Sequence, residues 1–186
     1  MHKKIEEELF GLPENFIVLT LVKSENAERA NMAMLNYLIN RKGYRGNYVA
    51  ISTPYASVSQ MLRTNSINPE SLFFIDCISK VAGNEVEASN CICIESPQNL
   101  TDLSIAIQEL MNAKHGEFLL IDSINTLSIY NDRERLLKFM HFISTKIRLH
   151  ELKGVMVSLH KGTDPEFLGD IAEFCDKTID LTENGE

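Results

Sequence analysis

Short runs of β-branched and aromatic residues alternate along this chain with stretches whose apolar side chains recur every three or four positions. The order predicts strands and helices in turn, and so a mostly parallel sheet with helices on both faces, a three-layer α/β fold. A first strand is predicted over residues 16–22, introduced by Gly11-Leu12-Pro13, and a helix over 26–41 follows it. Ala30, Ala33, Met34, Tyr37 and Leu38 make one apolar stripe on that helix, and Gly43 ends it. Further strands are predicted at 48–52, 72–76, 91–94, 118–121, 155–159 and 178–181, and further helices at 57–64, 100–112 and 132–150. Asn99 is placed to cap the second of those helices, whose core face is Leu103, Ala106, Ile107, Leu110 and Met111. The run Phe118-Leu119-Leu120-Ile121 is wholly apolar, as expected of a strand at the centre of a parallel sheet. Residues 80–90 are polar and predict an exposed loop rather than a domain boundary.

With 186 residues and 44% hydrophobic composition, one domain over 1–186 is predicted, with its core at about 11–181. Composition narrows the partners: 26 Asp and Glu stand against 18 Lys and Arg, a formal charge of -8. That balance opposes capture of a nucleic acid, and the short basic cluster Arg41, Lys42, Arg45 reads as solvated surface. No apolar run approaches the roughly 18 residues needed to span a bilayer, so the expectation is a cytoplasmic protein without a membrane partner. None of the four cysteines, Cys77, Cys91, Cys93 and Cys175, is paired at the C-x₂-C spacing that closes around zinc. Cys91 and Cys93 fall on one face of a strand and read as buried free thiols. His115, His141 and His150 lack metal-ligand spacing, and Met32, Met34, Met111 and Met140 read as core filler.

The strongest chemical signal is the apolar strand that delivers Asp122, followed by Ser123, at its C-terminal end. In an open α/β sheet ligands bind at that edge, and ATPases of the P-loop type use such an aspartate to hold the water shell of Mg²⁺. The alternative role for Asp122 is to cap the turn that follows. Four other segments belong with it: Gly11-Leu12-Pro13, Phe74-Ile75-Asp76, the run Ser96-Pro97-Gln98-Asn99-Leu100-Thr101-Asp102-Leu103-Ser104-Ile105-Ala106-Ile107, and Cys175-Asp176-Lys177-Thr178-Ile179-Asp180-Leu181. With Leu120-Ile121-Asp122-Ser123 they make the chain resemble the archaeal KaiC-like branch of the RecA superfamily from residue 11 to residue 181. The resemblance implies a RecA-like, P-loop NTPase-type core that binds nucleotide phosphates after the first strand, in subunits that often pack as rings or filaments.

The departures from that pattern bear on activity. The family's G-x-x-x-x-G-K-[ST] motif falls on Lys23-Ser24-Glu25-Asn26-Ala27-Glu28-Arg29-Ala30. Both glycines, which allow a loop to wrap an anion with inward N–H groups, are replaced. Glu28 brings negative charge to the place of the second glycine, Arg29 stands for the lysine, and Ala30 for the hydroxyl that ligates Mg²⁺. The stretch Ile51-Ser52-Thr53-Pro54-Tyr55 after the second strand carries no carboxylate to orient a water. A pseudo-ATPase is therefore expected, regulatory or scaffolding, associating with itself or with a related P-loop ATPase subunit. No cofactor is expected, and Mg-ATP would bind only weakly if at all. The alternative is a weak or partner-activated ATPase, with Arg29, Asp122 and Ser123 as the residual nucleotide-site positions. His160 and Lys161 read as a surface turn ended by Gly162.

Overall fold

The computed structural model describes residues 1–182. At the centre of these lies a sheet of seven strands, all parallel: β1 (Ile17–Val22), β2 (Gly46–Ala50), β3 (Leu72–Asp76), β4 (Cys91–Cys93), β5 (Phe118–Ile121), β6 (Lys153–Leu159) and β7 (Lys177–Asp180). The spatial order is β4-β3-β2-β5-β6-β1-β7, so the wholly apolar β5 is the central strand, as its composition predicted. Among the described residues seven α-helices cover the sheet: α1 (His2–Leu9), α2 (Ala27–Leu35), α3 (Tyr55–Thr64), α4 (Leu100–Asn112), α5 (Ile124–Tyr130), α6 (Arg133–Leu149) and α7 (Pro165–Ala172).

Strand alternation divides the core in two. Ile17 and Leu19 on β1 join a cluster with α4, α5, α6 and α7, whereas Val18 and Val22 join one with α1, α2 and α3. Caps set the helix starts where the sequence offers them: Asn99 accepts from the Asp102 amide at 3.2 Å, and Asp132 from that of Arg135 at 3.0 Å. Gly43 (φ 74°) closes the segment after α2. Between them Asn36–Arg41 forms a π-helical turn, where the sequence predicts uninterrupted α-helix.

Other differences are local. Three short helices, α1, α5 and α7, are additions to the predicted set, and β2 lies two residues earlier than its apolar run suggests. Gly46 starts β2 for a steric reason: a Cβ there would stand 2.3 Å from the Phe118 ring. Residues 77–90 carry no helix or strand, in line with an exposed loop. Among the described residues no helix is long and apolar enough to cross a membrane.

Candidate functional site

The connection from β1 leaves through α2 on one face of the sheet, while that from β5 leaves through α5 on the other. Such divergence opens a crevice at the C-terminal edge of the strands. Here it is a cavity of about 240 Å³, walled by the start of α2, the end of β2 and the segments after β5 and β6.

The turn between β1 and α2 is tight. Lys23 is extended (φ -78°, ψ 150°), Ser24–Asn26 makes one 3₁₀ turn, and α2 begins at Ala27. The Asn26 amide is spent on the Lys23 carbonyl at 2.9 Å. No glycine occurs from Lys23 to Ala30, and that one turn with Lys23 is all that separates strand from helix. Glu28 lies at the cavity's rim, and among the described residues none that lines the cavity is basic.

Arg29 stands apart from Asp122. Helical residues advance by about 100° each, and since Ala30 and Asn31 are buried, Arg29 faces solvent. It borders a shallow surface depression with His2, Glu25 and Asn65, not the cavity that Asp122 lines. Of the expected positions, Asp122 and Ser123 line the crevice, while Arg29 lies in the neighbouring depression, which shares Glu28 and Met32 with it.

Asp122 is buried, and its bonds run sideways to β2. Oδ1 accepts from the Ile51 amide at 2.8 Å and the Ser52 amide at 3.4 Å, and Oδ2 from the Tyr48 hydroxyl at 3.2 Å. It does not cap the turn that follows: Ser123 occupies the N-cap position of α5, and its hydroxyl meets Thr126 Oγ1 at 2.6 Å and Asn125 Oδ1 at 3.1 Å. Burial pushes the Asp122 carboxyl up to about 7, against the opposing pull of the Ile51 and Ser52 amides and Tyr48. Burial likewise raises the Tyr48 phenol, and the neighbouring Asp122 charge adds to the effect.

Two further side chains at the cavity hold polar atoms without a hydrogen-bond partner among the described residues, the Asn31 carbonyl oxygen and the Ser158 hydroxyl. Neither stands out in the sequence, nor does Tyr48, because each sits inside an apolar run of a helix or strand. The signal available is a polar residue interrupting such a run. Chemically, the cavity offers hydroxyls, amides and two carboxyl groups.

No family model matches the sequence, and neither does any curated protein. Among solved structures the chain is similar to a KaiC-like protein from the hyperthermophilic archaeon Pyrococcus horikoshii. The two share 14% identity and a TM-score of 0.66, over 94% of this chain and 76% of that one. Likeness at this identity is a likeness of fold, and by it the chain is an α/β domain with the RecA-type architecture of a KaiC-like protein.

Proposed function

We propose that this chain is a pseudo-ATPase of the RecA/KaiC-like type, which keeps the fold for regulation or scaffolding and has lost nucleotide turnover. The observation that carries this reading is the glycine-free passage from Lys23 into α2, beside a cavity lined by Glu28 and Asp122 and, among the described residues, by no basic one. A working phosphate loop points several backbone N–H groups and a helix N-terminus at the anion, each charge-assisted bond being worth about 1.5–3 kcal/mol. A single 3₁₀ turn joining β1 to α2 argues against a loop that encircles a phosphate, and Arg29 does not line the cavity. Neither Ser52 nor Thr53 after β2 supplies the base that would activate water.

The partner is a second copy of this chain or a related P-loop ATPase subunit, engaged through the sheet-edge surfaces that such subunits use, with no role for nucleic acid. Phosphate release from Mg-ATP by the purified chain tests the catalytic half of the proposal. Release at the level of a protein-free blank is expected; turnover that grows with protein concentration contradicts it. Light scattering with and without an active relative tests the other half, for which a monomer that leaves the relative's assembly unchanged is the contrary result.

A further inference from the structure

β4 is an outermost strand of the sheet, and it carries two thiols. Side chains two residues apart share a face of a strand, and the parallel register sets Cys93 opposite Asp76 at the end of β3, with Cys91 opposite Phe74. In consequence both sulfurs and a carboxylate oxygen of Asp76 lie within 4.8 Å of one another. Spacing along the chain could not reveal this set, because the third donor comes from a neighbouring strand. We propose that Asp76, Cys91 and Cys93 form a site for a thiophilic divalent cation of the zinc class, with water completing the coordination.

The chemistry of the donors favours such an ion. Thiolate sulfur selects zinc over magnesium or calcium, and three protein ligands with one open position make a recognised zinc arrangement. Metal–sulfur bonds of about 2.3 Å place tetrahedral ligands roughly 3.5–4 Å apart, so the set closes by shifts of about 1 Å. A strand with a neighbour on one side only can supply that movement.

Asp76 is held as a ligating carboxylate should be. Its Oδ1 accepts from the amides of Ile78 (2.9 Å) and Ser79 (2.8 Å), and its Oδ2 from the Tyr55 amide and the Ser79 hydroxyl, both at 2.7 Å. Rotation of the Ser79 hydroxyl frees one Oδ2 lone pair while the three amides keep the group oriented, as outer hydrogen bonds orient metal ligands generally. Lys80, the basic residue near Cys93, is engaged with Glu95 at 2.5 Å. A bound divalent ion would hold both sulfurs as thiolates and clamp the edge strand to β3. This centre is separate from the cavity at Asp122, and it stands whether or not the chain turns over nucleotide.

The test is titration of the metal-free full chain, reduced with a phosphine, using cadmium as the probe and following its ultraviolet thiolate charge-transfer absorption. The expected result is saturation at one equivalent, reversal by excess zinc, and a loss of affinity of at least about tenfold in Cys91→Ser and in Cys93→Ser. Cys175→Ser, whose thiol precedes β7 at the opposite edge of the sheet, should bind as the unaltered chain does. In an Asp76→Asn chain with native circular dichroism the band should keep its intensity while zinc affinity falls. Absence of a saturable band, a band that survives the double Cys91→Ser, Cys93→Ser change, or unchanged zinc affinity in Asp76→Asn would overturn the three-donor site.

Discussion

Replacing Asp122 with asparagine should stabilise the protein above neutral pH far more than below it. In the folded chain the carboxyl titrates at about 7 because it is buried, whereas in the unfolded chain it titrates at about 3.9. Between those values the folded state keeps a proton that the unfolded state has released, so stability falls as pH rises. The contribution is fully present below about pH 4 and gone above about pH 7, at about 1.4 kcal/mol per pH unit. From pH 5 to pH 8 the loss spans roughly two units of that window, or about 3 kcal/mol. Asparagine has no such titration. Its oxygen can still accept from the Ile51 and Ser52 amides, and its amide can donate to the Tyr48 oxygen, reversing one bond. Urea unfolding of both proteins at the two pH values gives the result as a double difference, from which the other titrating groups cancel. A shift of about 3 kcal/mol in favour of Asp122→Asn on going to pH 8 is expected. A difference that stays within about 0.5 kcal/mol across the two pH values would show that Asp122 is not a buried group with a raised pKa.

Two simpler substitutions test the fold and the cavity wall. Gly46→Ala should lower thermal stability by about 1–3 kcal/mol, because its methyl group would meet the Phe118 ring at the β2–β5 contact; an unchanged melt would contradict that packing. Ser158→Ala should leave stability unchanged or raise it by about 1 kcal/mol, since it removes a buried hydroxyl without a partner among the described residues, and a loss larger than that in urea unfolding would mean the hydroxyl is satisfied.

Much of the sheet was legible because a buried parallel strand is a continuous apolar run, and β3 and β5 match their predicted limits. The helices absent from the predicted set have weaker marks. α1 buries only Ile5 and Leu9 among charged residues, and α5 buries only Ile124 and Leu127, too few for a periodic stripe. At α7, Asp164-Pro165 has the look of a turn, yet it is a helix start, with Asp164 accepting from the Glu166 amide at 3.0 Å and proline at the first turn. In the site, Asp122 was legible from its place at a strand end. Its partners Tyr48 and Ile51 were not, because β2 and β5 are neighbours in space but far apart in sequence. The placement of Arg29 relative to Asp122 was not legible either, because it depends on helix phase: with α2 starting at Ala27, the residues turned inward are Ala30 and Asn31.

The most direct test of the proposed loss of nucleotide function is calorimetric titration of the full chain with Mg-ATP. The expected dissociation constant is no tighter than about millimolar, which corresponds to roughly 4 kcal/mol and is what a few unspecialised contacts can supply. The same expectation leaves the titration unchanged in Arg29→Ala, since Arg29 does not line the cavity. Micromolar affinity that disappears in Arg29→Ala or Asp122→Asn would contradict it, by showing that these two residues meet around a bound nucleotide after all.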